Sequence, residues 1–117
     1  VGPFANGWDE AKIEAVLARG DADEVLYVPI VISLDPPDCA WSSAICKQLA
    51  THADARVRGN AILGFGHLAR TCGALGAEIG PLIEAAHDDP DQFVRGQAFN
   101  AACDVNHFLG WTLRVPD

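Results

Sequence analysis

Apolar residues recur at helical spacing along most of this chain. Ile13, Val16 and Leu17 share one face of a segment running from about residue 9 to 19, with acids in its first turn and Gly20 past its end, which predicts a first helix. The stretch that follows, DADEVLYVPIVISL, is ambiguous. Its β-branched run from Val25 to Leu34 fits a strand, but Pro29 argues against a central strand and also against a helix interior. With helices predicted on either side, it is read as a kinked helix, ended by Asp35-Pro36-Pro37. Asp38 is the predicted N-cap of a helix reaching about residue 51, with Trp41, Ile45 and Leu49 in one stripe beside Ala44. A helix from about residue 54 to 72, another from about 77 to 87 and a last one from about 92 to 109 complete the pattern, with loops at Cys72–Gly76 and Asp88–Asp91.

The helix from Asp54 to Gly73 holds three internal glycines, Gly59, Gly64 and Gly66. Each costs roughly 1 kcal/mol relative to alanine in a helix interior, so their presence predicts that other backbones approach closely there. The same pattern returns later. A slide of 37 residues carries Val57-Arg58-Gly59 onto Val94-Arg95-Gly96, Asp54 onto Asp91, Ala61 onto Ala98 and Gly73 onto Gly110. The stripe Val57, Ala61, Gly64, Phe65, Leu68, Cys72 falls on Val94, Ala98, Ala101, Ala102, Val105, Leu109, and each member finds a small or apolar counterpart. A helix pair repeated at this period predicts stacked units burying a shared core. The first pair, about residues 9 to 34, is a looser copy, so the expected architecture is all-α, a single domain and short α-solenoid of about three helical hairpins.

A short Asp-containing turn followed by V-R-x-x-A resembles the second-helix signature of HEAT repeats, across roughly residues 9 to 111. The resemblance implies that Asp54, Arg58, Asp91 and Arg95 form a ladder between neighbouring units. From the residues alone, Asp54–Arg58 and Asp91–Arg95 are acid-before-base pairs four apart at a helix start. More narrowly, VRGNAILGFGHLAR and VRGQAFNAACDVNHFLGW resemble small bacterial HEAT-like proteins, some of which act as immunity proteins beside a toxin.

Composition narrows the function classes. The 117 residues are half apolar and carry a net charge of −8. Such acidity argues against nucleic-acid binding, which needs a basic face, and suits a basic protein partner. No apolar run reaches the roughly 18 residues of a membrane span, and the opening VGPFANGWDE has no signal-peptide pattern. Cys39, Cys46, Cys72 and Cys103 lie in apolar, helix-like surroundings without a CxxC pair and are read as buried thiols. That reading favours a reducing compartment, hence the cytoplasm.

The candidate chemistry lies on the two repeated helices. Outside the core stripe of the first fall Asn60, Leu63, His67 and Arg70, matched at the shift by Gln97, Asn100, Asp104 and His107. Together they predict a polar, partner-binding surface two helices wide. Asp35, Asp38, Asp88, Asp89 and Asp91 form acidic turns that would attract a basic surface, although turns and N-caps select aspartate for local reasons too. Trp111 is read as a cap on the open end of the core rather than an interface anchor.

No nucleophile motif surrounds Ser42-Ser43, and Gly64-Phe65-Gly66 sits in mid-helix rather than in a phosphate-cradling loop. His67, Asp104 and His107 are too few for an argued metal site, and the His-Glu dipeptides of HEAT-like metal hydroxylases are missing. The sequence therefore predicts a non-enzymatic, cofactor-free binding protein: an immunity protein that neutralises a basic toxin domain, such as a nuclease whose cleft must hold phosphates. The alternatives are a HEAT-like scaffold or adaptor, and a metal-binding enzyme built on the same three residues.

Overall fold

Aspartate starts five of the helices. Asp9, Asp21, Asp38, Asp54 and Asp91 each turn a side-chain oxygen onto a backbone N–H two or three residues ahead, satisfying donors that an unwound first turn leaves orphaned. The computed structural model describes residues 2–116. After a short 3-10 turn at Gly2–Phe4, the helices are α1 (Glu10–Arg19), α2 (Ala22–Val25), α3 (Val28–Leu34), α4 (Cys39–Leu49), α5 (Ala55–Cys72), α6 (Ile79–Ala86) and α7 (Gln92–Leu109). Among the described residues there is no strand. Gly20, Gly73 and Gly110 end α1, α5 and α7 at φ 70, 71 and 68°, the left-handed conformation in which glycine avoids the Cβ clash. The ambiguous stretch before Asp35 is helical but broken at Leu26 and Tyr27. Pro29 falls in the first turn of α3, where its missing N–H interrupts no helical bond.

Helix α5 is the hub. It packs between α3 and α7, and α4 and α6 also lie against it. Val57, Ala61, Ile62, Phe65 and Leu68 of α5 meet Val28, Ile32, Ile45, Ile83, Val94, Ala98 and Val105 in one continuous core. Two of the three internal glycines, Gly64 and Gly66, mark the backbone approaches expected of them, whereas Gly59 is met by the Phe93 and Gln97 side chains. A Cβ on Gly64 would lie 3.0 Å from Cys46 Sγ and 3.4 Å from the Pro29 carbonyl, and one on Gly66 would lie 3.2 Å from Ala101 Cα.

Beyond α7 the chain turns back over α6. Asn106 bonds both the N–H and the carbonyl of Leu113, at 2.8 and 3.0 Å, and His87 Nε2 meets the Arg114 carbonyl at 2.8 Å. Trp111 and Leu113 lie against Gly80 and pack on the core, which is the placement of a cap.

Two expectations are corrected here. Cys39 and Cys72 form a disulfide joining the start of α4 to the end of α5, so the four cysteines are not all thiols. The thiol-based reason for a reducing compartment therefore falls away. Cys46 remains a buried thiol, as expected, whereas Cys103 is an exposed one. The ion pairs also differ. Arg58 does not pair with Asp54; it reaches Asp89 in the α6–α7 turn, at 2.8 and 2.9 Å. Asp54 instead pairs with Arg56, and Asp91 caps α7 through the Phe93 N–H. The reason is reach. A cap aspartate faces the backbone of its own first turn, whereas the arginine extends along the helix flank to the neighbouring turn.

Candidate functional site

The polar residues predicted to line one surface divide into two groups. Asn60 is not on a surface: it is 6% exposed and its Nδ2 donates to the Leu26 carbonyl at 2.9 Å. That bond satisfies the carbonyl at the break between α2 and α3. His67 is half-buried on the same flank of α5, with Nδ1 3.0 Å from Ser33 Oγ. Burial, with the nearby Arg70 charge, pushes the His67 imidazole below its ordinary pKa, while Asp104 pulls in the opposite direction. Thr71 continues this seam, donating to either the Ser33 or the His67 carbonyl, both at 3.0 Å. Asn60, His67 and Thr71 therefore bind α5 to the preceding helices.

The Ser33–His67 contact has the residue types of a nucleophile and base, but not the access. Ser33 is fully buried and its hydroxyl also lies 3.2 Å from the Ile30 carbonyl, so no substrate atom can reach it.

The second group is a stripe along α7. Phe93, Gln97, Asn100, Asp104 and His107 succeed one another at alternating spacings of four and three, which keeps them on one side of a helix. Phe93 lies over Gly59, with Gln97 beside it, and Asn100 Nδ2 donates to Gln97 Oε1 at 3.3 Å. The Asp104 carboxylate lies over Gly66, where a Cβ would approach its Oδ2 to 3.0 Å. Asn100 and His107 are exposed, as is Arg70 at the end of α5, whereas Gln97 and Asp104 are partly covered. Phe108 packs edge-on against the His107 ring, with centroids 4.7 Å apart.

The acidic turn also divides. Asp88 is open to solvent, its side chain 78% exposed, with Arg114 at 3.5 Å. Asp89 is only 13% exposed and engaged by Arg58, whose hydrogen bonds hold its carboxyl below the usual range. It also accepts the Asp91 N–H at 2.9 Å. Asp89 and Asp91 thus stabilise the fold, and Asp88 is the turn's accessible charge. Asp35 and Asp38 are exposed in the separate turn between α3 and α4.

Exposed aromatics are the surface feature that the polar pattern did not single out. Phe93, Phe99 and Phe108 are each 44% exposed. Their signal is present in the sequence, since none belongs to the buried stripe of Val94, Ala98, Ala101, Ala102 and Val105. Phe93 and Phe108 flank the polar stripe, and Phe99 lies on the opposite flank of α7. Among the described residues, no three His, Cys, Asp or Glu side chains gather as a metal site, and no helix is long and apolar enough to cross a membrane. No known protein family, curated protein or solved structure matches the chain.

Proposed function

We propose that this chain is a non-enzymatic protein-binding module, a short HEAT-like solenoid of about three helical hairpins, acting as an immunity protein that neutralises a basic toxin domain. The observation that carries the binding reading is the exposed side of α7. Phe93 and Phe108 frame Asn100 and His107, with Arg70 on the neighbouring helix, so large aromatic faces stand beside polar groups. Aromatic anchors within a polar surround are the composition of protein interfaces. The net charge of −8, to which the exposed Asp88 of the α6–α7 turn contributes, supports a basic partner and rapid electrostatic encounter. The solenoid reading is supported by α5 packing between α3 and α7 and by the 37-residue correspondence of α5 with α7. In this reading the protein binds in the cytoplasm, where immunity proteins of intracellular toxins act; its disulfide is the feature that a cytoplasmic location must accommodate.

The test is complex formation with the product of the gene adjacent to this one. A stoichiometric complex is expected, weakened by salt, that abolishes the partner's toxicity. Asp88→Lys and Asn100→Lys, both at exposed positions, should each weaken it tenfold or more at unchanged thermal stability. An adjacent gene product that does not bind, or binding indifferent to both substitutions, refutes the reading. Binding without any inhibited activity would instead favour the scaffold alternative.

A further inference from the structure

The contact between α5 and α7 supplies its own template. At the start of α5, Arg58 directs Nη1 to the carbonyls of His52 and Ala53, at 3.0 and 3.1 Å, which leaves Nε and Nη2 to grip both oxygens of Asp89 in the turn before α7. One repeat later the same anchoring recurs. Arg95 directs Nη1 to the carbonyls of Asp89 and Pro90, at 2.8 and 3.0 Å, the residues that correspond to His52 and Ala53. Here, however, Nε and Nη2 have no partner among the described residues. The arginine is held in the same pose, and among the described residues no carboxylate occupies its second edge.

The flank beside Arg95 repeats the surface on which α7 lies. Gly59 of α5 receives the Phe93 ring so closely that a Cβ would sit 2.6 Å from its Cε2. Its counterpart Gly96 is exposed, with nothing within 4 Å of the corresponding Cβ position. Ile62, 2% exposed under α7, corresponds to Phe99, 44% exposed. Gly66, buried under Asp104 and Ala101, corresponds to the exposed Cys103, whose side chain fills the close approach that Gly66 permits, so the repeated surface is its first two turns, from Arg95 to Phe99. Among the described residues the C-terminal segment covers this flank only in part: Trp111 and Leu113 lie against Gly80 of α6, and Pro116 lines one cleft with His87, Arg95 and Phe99.

We propose that this flank of α7, comprising Arg95, Gly96 and Phe99 and bounded by Cys103, is a docking site for a partner protein's helix that enters through an acidic N-terminal turn and seats a carboxylate on the Arg95 guanidinium. The intramolecular contact states what the occupant must carry: an aspartate or glutamate in the turn, as Asp89 is placed for Arg58, and an aromatic in the first helical turn, as Phe93 is placed for Gly59. Planar two-point recognition makes arginine selective for a carboxylate in that position. The site adjoins the Phe93–His107 stripe along Gly96 and Cys103 but takes an acidic rather than a basic element, so it stands or falls separately from the toxin reading.

A helix-stapled peptide with the sequence of residues 88–99 is the probe, because it carries the turn and ring that satisfy the equivalent surface on α5 and ends before Ala101 and Asp104, for which Cys103 leaves no room. Titrated into isotopically labelled full-length protein, it should saturably shift the amide signals of residues 95–103. An Asp89→Asn peptide should bind at least tenfold more weakly to the native protein and no differently to an Arg95→Gln variant. Gly96→Ala is the decisive control. Its Cβ has open space in the protein, so the melting temperature should hold or rise, yet it occupies the place of the incoming ring and should abolish the shifts. Shifts centred on residues 59–66 would mean that the peptide displaces the resident α7, and would overturn the proposal. So would an absence of shifts at about 1 mM peptide, or equal binding of the native-sequence and Asp89→Asn peptides. Self-association of the protein alone, lost on Arg95→Gln, would make the occupant a second copy and overturn the assignment to a partner.

Discussion

Arg58 and Asp89, thirty-one residues apart, meet through two parallel bonds of 2.8 and 2.9 Å, and the third nitrogen of the same guanidinium holds two carbonyls of the turn before α5. One side chain thus ties two successive interhelical turns together. With side chains only 18% and 13% exposed, the pair is far better shielded than the surface pairs of the protein.

This shielding predicts an asymmetry between equivalent residues. Arg58→Ala strands a mostly buried carboxylate and two carbonyls, and should cost about 2–4 kcal/mol. Arg95→Ala, at the exposed copy, should cost under about 1 kcal/mol. Urea unfolding of the two variants measures the difference, and similar losses would refute the assigned roles.

Glycine substitutions should diverge in sign. Gly96→Ala has open space and removes a poor helix former, which should stabilise the protein by about 0.5–1 kcal/mol. Gly66→Ala meets the Ala101 backbone at 3.2 Å between two closely packed helices, and should destabilise it by about 1–3 kcal/mol. Thermal melts of both variants decide the matter.

Thiol chemistry should distinguish the four cysteines. Cys103 should react in the native protein. Cys46, whose thiol burial pushes up to about 12, should react only after unfolding, and two further thiols should appear on reduction. Closing a sequence separation of 33 residues, the disulfide should contribute about 3–4 kcal/mol, seen as a lower melting temperature in reductant. Release of all four thiols from unreduced, unfolded protein would contradict the structure.

The pH dependence follows from two kinds of group whose folded-state pKa is depressed. His67 is held below its ordinary value by burial, so its contribution should be complete above about pH 6.5 and decline as the pH falls from there. His67→Gln should flatten that step. The Asp89 carboxyl, lowered by Arg58, and Asp54, lowered to about 2 by its Arg56 hydrogen bond, should stabilise the fold above about pH 4, with the loss following as acid protonates them. Urea midpoints collected from pH 8 to 2 test both windows.

The helices are legible in the sequence because their signals are local. Asp38, Asp54 and Asp91 read as starting points and Gly20, Gly73 and Gly110 as ends, and those residues cap α4, α5, α7 and α1 in the structure. The break between α2 and α3 is less legible, because the β-branched run and Pro29 point in different directions. The surface is harder still. Asn60 and His67 share the periodicity of solvent-facing residues, yet the carbonyl of Leu26 and the hydroxyl of Ser33 make the inner side of α5 polar enough to receive them. Periodicity reports which side of a helix a residue occupies, and cannot report what faces that side.

Where the helices outside residues 22–34 begin and end, which stripe of each enters the core, and that α5 and α7 correspond at a 37-residue shift with small residues at their approaches all follow from the order of residues alone. These features depend on hydrogen bonding and steric fit within one turn or one helix face. Three others come from the assembled fold: that Cys39 meets Cys72, that Arg58 chooses Asp89 over Asp54, and that Arg95 reaches the carbonyls of Asp89 and Pro90 rather than Asp91. The first two depend on how helix ends far apart in the chain are brought together and the third on the path of the α6–α7 turn, and no spacing within a single helix encodes those distances.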